Sequence, residues 1–225
     1  MKENRGHARC IASGLKYIFE KKEFDYVIPM DGDGEDRPEE IKNFIQLAEK
    51  SDDKTIVGER TKRSESLFFK ICYQLHKLLT LGFTGHSIKF GNFTCLSKST
   101  IEKMLNEKAS WNSFSGSLKK VEKDLLSIPS IRGIRYFGPS KMSFLSLLIH
   151  SFAIIAVFKN QVFLRSSFAI IVLSFLNSFF GTYSIILQIL LIIFNLLIFI
   201  VSLREKERDF FESHQNVLNK IQIKH

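Results

Sequence analysis

An α/β domain followed by a membrane segment is the architecture this sequence predicts, and three observations predict it. Short apolar runs alternate with amphipathic helical stretches through the first 141 residues, the pattern of a sheet covered by helices. Residues 142–203 hold no carboxylate, and their only formal charges are Lys159 and Arg165. An acidic turn bearing two glycines, residues 31–36, directly follows the first apolar run, where α/β sheets place their ligands. The chain of 225 residues, with a net charge of +9 and a mean hydropathy of +0.03, therefore averages two unlike parts.

Each element has a local cause. Residues 24–30 form an apolar strand that ends in the acidic turn. Pro38 then stands where a helix accepts proline in its first turn. Glu39 and Glu40 meet the positive end of its dipole, and Ile41, Phe44, Ile45, Leu47 and Ala48 supply its apolar stripe. Residues 55–57 make a second strand, closed by Gly58. Leu67, Phe68, Ile71, Cys72, Leu75, Leu78 and Leu79 mark an amphipathic helix. Residues 93–96 make a strand, with Ser97 or Ser99 capping a helix that runs toward Leu105. A final strand is expected over 131–136.

Composition excludes several classes. With 22 Phe and 45% hydrophobic residues the chain is not disordered, and three Cys do not make a disulfide scaffold. Cys10, Cys72 and Cys95 read as reduced thiols, and neither they nor the scattered His show zinc-ligand spacing. The basic excess forms no stripe interleaved with stacking aromatics, so nucleic acid is not an expected partner. Beside a membrane segment it suits anionic lipid or phosphorylated substrates.

The membrane segment is read from length. One straight helix over the 38 uncharged residues 166–203 would reach about 57 Å, against a hydrocarbon core of roughly 30 Å. The run must turn, and Asn177, Ser178, Gly181, Thr182 and Ser184 supply the turn. Spans are expected near 166–180 and 183–203. Arg165 flanks the pair at one end and Arg204, Lys206 and Arg208 at the other. The turn has no Lys or Arg, which places both ends in the cytoplasm. Residues 142–158, with Ser143, Ser146 and His150 on one helix face, read as an amphipathic helix in the interface rather than a third span. The expected division is a polar domain over 1–141, a juxtamembrane region over 142–164, a transmembrane hairpin over 165–203 and a charged cytoplasmic tail over 204–225. The whole is a multi-pass protein of the inner, cytoplasmic membrane. Hairpins of this size often associate, so a homo-oligomer is also expected.

Two features carry chemistry. Glycines in the acidic turn let Asp31 and Asp33 converge on a hard cation, Mg²⁺ or Mn²⁺. A calcium EF-hand fails, because counting from Asp31 puts Asp36 where that loop needs Gly and Lys42 where it needs Glu. The second feature is Arg135-Tyr136-Phe137-Gly138-Pro139-Ser140-Lys141, immediately before the membrane segment. Its Arg, Ser and Lys around a glycine turn suit a phosphate at the bilayer surface. An acidic helix cap and a basic membrane anchor are the plain structural alternatives for the two.

The order of motifs carries a resemblance. Gly6-His7-Ala8-Arg9, Ala12 and Gly14 are followed by Met30-Asp31-Gly32-Asp33 and Pro38-Glu39. Val57-Gly58-Glu59-Arg60, Gly91-Asn92-Phe93, and Arg135, Gly138, Ser140 and Lys141 come after. The chain resembles the family 2 glycosyltransferases of the polyprenyl-phosphate type, such as dolichol-phosphate mannose synthases and undecaprenyl-phosphate glucosyl- or arabinosyltransferases. The resemblance implies a GT-A, Rossmann-like domain and metal-dependent, inverting transfer of a sugar from a nucleotide-sugar to a lipid phosphate. It implies that Asp31, Asp33 and Glu35 hold Mg²⁺ or Mn²⁺, and that Asp33, Arg60 and Arg135 are catalytic. Arg135, Ser140, Lys141 and Lys70 would then meet the acceptor phosphate. Lys89 stands where the family usually has Asp, and Asn92 replaces a frequent acid. The family's strands for base and ribose would precede the first helix here, so the domain is expected to be incomplete, and a separately encoded N-terminal half is an implied partner. The alternatives are a truncated, non-catalytic membrane relative and a transferase acting on another cell-surface polysaccharide.

Overall fold

The computed structural model describes residues 4–52, 54–60, 67–138 and 143–213, leaving aside the side chains of 67–70 and 73. In chain order the elements are α1 (His7–Lys21), β1 (Tyr26–Val27), α2 (Ile41–Ala48), β2 (Ile56–Arg60), α3 (Leu67–Thr84), β3 (Phe90–Ser97), α4 (Lys98–Leu105), α5 (Phe114–Val121), β4 (Leu126–Ser130), α6 (Phe144–Ala156), α7 (Lys159–Phe175), α8 (Asn177–Phe180), α9 (Thr182–Ser202) and α10 (Glu207–Phe211). Short 3₁₀ turns, Pro38–Glu40 and Lys108–Trp111, precede α2 and α5. Two compact units share them. Met1–Arg63, Lys89–Ser140 and Glu205–His225 form one, and Ser64–Ile88 with Lys141–Arg204 form the other.

The first unit is built on a mixed sheet of order β1-β3-β2-β4. Strand β3 runs antiparallel to both β1 and β2, while β2 and β4 are parallel. It follows that β1, β2 and β4 all point the same way. Alternation sorts the side chains into two cores, as a period of two requires. Phe93, Cys95 and Ile56 face α2, where Phe44 meets Phe93 with ring centroids 4.7 Å apart. Leu96 and Val57 face the other way, onto Leu15 of α1, Ile101 and Met104 of α4, and Phe114 and Leu118 of α5. Burial pushes the Cys95 thiol up to about 11.

Several sequence expectations shift. Strand β1 keeps only Tyr26–Val27 of the expected 24–30. Strand β2 runs through Gly58, where its pairing with β3 is irregular. A Cβ at Gly58 would lie 3.1 Å from the Phe93 carbonyl oxygen, so glycine permits this close approach. Ser97 does cap α4, accepting from the Thr100 N–H at 3.3 Å. The last strand is Leu126–Ser130 rather than 131–136. Pro129 is tolerated because β4 is an edge strand, and 131–136 is released as a loop whose backbone bonds go elsewhere.

Of the expected tail over 204–225, residues 204–213 are described, and part of them packs on the first unit. Helix α10 closes on α1, placing Phe210 against Trp111 at 5.8 Å between centroids and Asp209 3.9 Å from Arg5. Lys16 donates to the Phe211 carbonyl.

The second unit gathers α3 and α6 through α9 around Ile155, Ala156, Val162 and Ile198, with the Phe83 and Phe194 ring centroids 4.6 Å apart and the rings tilted by 41°. Helix α7 starts at Lys159 and stops at Phe175, with the short α8 following, so the helix bounds differ from the span expected near 166–180. Arg165 accordingly sits inside α7 rather than flanking it, and its Nη1 donates to the Gly82 carbonyl at 2.8 Å. One helical run, Thr182–Phe211, is long and apolar enough to cross a membrane. Helices α6 and α7 meet that measure only as a pair bent by 88°. Helix α9 is inside out for a water-soluble helix. Ser184 and Ser202 are buried, while Ile185, Ile189, Ile193, Leu196 and Ile200 are about half exposed.

Candidate active site

The three co-directional strands deliver their carboxyl ends to one edge of the sheet, together with the start of antiparallel β3. Four stretches meet there: the acidic loop after β1, Arg60 at the end of β2, Gly91 and Asn92 at the head of β3, and the loop after β4. This is the edge at which open α/β sheets bind ligands.

The acidic loop shapes itself. Gly34 takes φ +91°, the Asp31 N–H donates to Asp36 Oδ2 at 2.9 Å, and the Glu35 N–H donates to Asp33 Oδ1 at 3.0 Å. Asp36 is 5% exposed and burial raises its pKa. Its guanidinium partner is Arg60, 4.0 Å away. Asp31 turns to the first residue of α1: His7 Nε2 lies 2.9 Å from Asp31 Oδ1, and Asn92 Nδ2 is 3.2 Å from the same ring nitrogen. The His7–Asp31 hydrogen bond raises the His7 pKa and lowers that of Asp31.

The loop after β4 zips onto the acidic loop. The Gly133 N–H donates to the Glu35 carbonyl and the Tyr136 N–H to the Asp33 carbonyl, each at 2.8 Å. The Tyr136 ring covers Gly34, and a Cβ on Gly133 would fall 2.3 Å from the Gly34 carbonyl oxygen. Glu40 steadies the entry, accepting from the Ile131 N–H at 3.0 Å. Side chains follow the backbone. Arg135 Nη1 lies 3.1 Å from Asp33 Oδ2, its Nε donates to Glu35 Oε1 at 3.1 Å, and Arg132 pairs with Glu35 Oε2. Burial and the neighbouring Arg135 lower the Arg132 pKa.

The structure thus brings together Asp31, Asp33, Glu35, Arg60 and Arg135. Ser140 and Lys141 lie outside the described residues. Lys70 belongs to α3 in the other unit, and its side chain is also outside them. Lys89 pairs with Glu59 at 3.3 Å. Sequence reasoning placed neither His7, Asn92, Asp36, Glu40 nor Arg132 among the site residues. The Arg132–Arg135 spacing beside a glycine was the only local sign of a second cation.

The donor set suits a hard divalent cation, since carboxylate oxygens are what Mg²⁺ and Mn²⁺ take. Yet among the described residues no three His, Cys, Asp or Glu are grouped to hold one. Asp31, Asp33 and Glu35 each face a cationic or titratable nitrogen instead, from His7, Arg132 or Arg135.

Residues 1–114 match the family model described as glycosyl transferase family 2. The chain belongs to that family. Neither a curated protein nor a solved structure matches it. In this family 2 chain the matched segment contains the acidic loop, Arg60 and Asn92, and ends before Arg132 and Arg135.

Proposed function

We propose that the chain is a membrane-anchored glycosyltransferase that moves a sugar, with inversion, from a nucleotide-sugar to a polyprenyl phosphate. One observation carries this reading: the acidic loop and the arginine loop before the membrane segment form a single site, with Arg135 3.1 Å from both Asp33 and Glu35. Carboxylates for a donor diphosphate–cation complex and guanidiniums for an acceptor phosphate are needed side by side in such a transfer.

In this reading Asp31, Asp33 and Glu35 hold Mg²⁺ or Mn²⁺, which supplies charge neutralisation to the departing diphosphate. Arg60, anchored on buried Asp36, steadies donor phosphate. Arg135 and Arg132 orient the acceptor, with Ser140, Lys141 and Lys70 as further phosphate contacts. An acceptor phosphate oxygen forms the new bond to the anomeric carbon as the bond to the diphosphate oxygen breaks. That oxygen is already anionic, so positioning matters more than a strong base.

The second unit supports the lipid side. Apart from buried Ile198, most aliphatic residues on α9 face outward while Ser184 and Ser202 face inward, an arrangement that suits hydrocarbon and not water. Ile134 and Phe137, at the tip of the arginine loop, are each 90% exposed, apolar side chains suited to the bilayer surface. The proposed organisation keeps the divisions 1–141, 142–164, 165–203 and 204–225, with α9 as one crossing, the bent α6–α7 pair as the other, and the polar unit in the cytoplasm.

The test is transfer by the full chain in detergent, with Mn²⁺, undecaprenyl phosphate and a panel of labelled nucleotide-sugars. Label should enter the organic phase, and Asp31→Ala or Asp33→Ala should cut it at least about a hundredfold, the scale of losing a transition-state contact. A folded chain that transfers none of the sugars, even with a supplied N-terminal segment, would instead be the non-catalytic relative. Transfer to a polysaccharide and not to the lipid would move the acceptor.

A further inference from the structure

We propose that α3 is a membrane-contact element in its own right. It lies in the plane of the bilayer surface, its outer face sunk into the boundary between headgroups and acyl chains and its lysines set against anionic headgroups. The inference deepens the membrane part of the reading above and rests on that part, not on the transfer chemistry.

Within the second unit α3 is inside out. Ile71, Leu75, Leu78 and Leu81 recur at spacings that share one helix face, and each is about half exposed or more. The opposite face holds Thr80 and Thr84, both buried, and the Thr80 hydroxyl donates to the His76 carbonyl at 2.8 Å. The helix is fixed to its own unit from behind: Phe83 lies against Phe194 of α9, and Arg165 of α7 donates to the Gly82 carbonyl. A row of large aliphatic side chains is thereby left facing outward, in the same unit as the outward aliphatic residues of α9.

Charge selects the occupant of this face. No Asp or Glu occurs between Glu65 and Glu102, and the charged residues of α3 itself are Lys70 and Lys77. A second copy packed on the same face would bring like charges together, whereas an anionic lipid surface neutralises them. Polarity selects the depth. Helix α3 is not among the described helices apolar enough to cross a membrane. Its apolar row, from Ile71 to Leu81, reaches only about 15 Å along the axis, half of a hydrocarbon core of roughly 30 Å. An apolar stripe of that length with a lysine-bearing polar side suits a helix lying in the interface.

The test is depth, read on the full chain in vesicles of phosphatidylcholine and phosphatidylglycerol. Ile71→Cys, Leu75→Cys, Leu78→Cys and Leu81→Cys are made one at a time in a chain whose native cysteines are replaced by serine, and each carries a bimane fluorophore. Lipids bearing a doxyl quencher shallow or deep on the acyl chain then report where the fluorophore sits. All four positions should be quenched more by the shallow group and lie at one depth, about 5–10 Å into the boundary region. Ile193→Cys, midway along α9, should show the reverse preference. At Leu78→Cys the shallow quencher should act more strongly on phosphatidylglycerol than on phosphatidylcholine, and adding Lys77→Gln should cut that preference by up to about fivefold. Depth that rises steadily from 71 to 81 would mean a crossing, and quenching of all four by aqueous iodide would mean water. Protection from both lipid and iodide would mean a second copy or another protein on this face. Each of these overturns the proposal, as does equal quenching by the two lipids. A deep Ile193→Cys in any of those cases leaves the membrane reading standing without α3, and Ile193→Cys quenched by iodide alone removes that reading too.

Discussion

Gly133 has no room for a side chain. A Cβ there would meet the Gly34 carbonyl oxygen at 2.3 Å, and backbone cannot give way as a flexible side chain can. Gly133→Ala should therefore part the two loops, costing about 1–3 kcal/mol and most of any transfer activity, while the Trp111 fluorescence of the distant core stays unchanged. Thermal unfolding and the transfer assay read the two effects separately. A second residue tests electrostatics away from the site. Burial pushes the Glu122 pKa up, but the Lys103 ammonium, the Asp124 N–H and the Thr100 hydroxyl outweigh it and hold the carboxyl below its ordinary 4.5. A lowered carboxylate pKa stabilises the fold above the unfolded value, and that contribution is lost as pH falls through the folded value. Glu122→Gln should lower Tm by about one or two degrees at pH 7, with the difference fading below about pH 4.5, since Lys103 is half exposed and the pair is modest. A difference that grew on acidification would contradict the assignment.

At the scale of elements, legibility tracked how local the cause was. The acidic loop could be read because its glycines and carboxylates are contiguous, and α2 and α4 because proline and Ser97 mark their starts. The strand expected at 131–136 could not be corrected from sequence. Ile131, Ile134 and Tyr136 have the look of a strand, but Ile134 is 90% exposed and the backbone pairs with Asp33 and Glu35, about a hundred residues earlier. For the same reason Arg132 went unassigned: its partner is set by tertiary approach. Helix α10 is the other case, since its stretch reads as a charged tail, and only the fold reveals that Phe210, 2% exposed, lies beside Trp111. Phe210→Ala should release α10 from α1 without unfolding the sheet, because a short terminal element opens as a local unit. The chain has one tryptophan, so the readout is clean: Trp111 emission should shift to the red, and proteolysis should begin after Arg204. Unshifted emission would mean that α10 contributes nothing to that core.

For the whole molecule, the docking of α10 constrains how a membrane reading can be drawn. Helix α10 follows the apolar α9 in sequence, yet it closes on α1, with Asp209 3.9 Å from Arg5 and Lys16 bonded to the Phe211 carbonyl. Chain before and after the apolar segment must then lie on the same side of a bilayer, which demands an even number of crossings. With α9 as one, the bent α6–α7 pair has to supply a second. In the proposed membrane reading, the basic residues Arg204, Lys206 and Arg208 after α9 would put that side in the cytoplasm. Single thiols at three positions test this together. Cys10 on α1 is exposed and serves as the first, with Cys72 and Cys95 replaced by serine. Glu212→Cys reports the end of α10, and Tyr183→Cys, at a position 77% exposed, reports the turn before α9. Each of these two substitutions is placed alone in a chain whose native cysteines are all replaced by serine. In inverted inner-membrane vesicles an impermeant maleimide should label Cys10 and the Glu212→Cys variant but not the Tyr183→Cys variant. Intact cells should show the opposite pattern once the outer layers are permeable. Labelling of Cys10 and the Glu212→Cys variant from opposite faces would leave α9 as a lone crossing and exclude α10 docking in the membrane form. Labelling at all three positions from one face would mean that α9 does not cross, and the inward serines of that helix would need another cause.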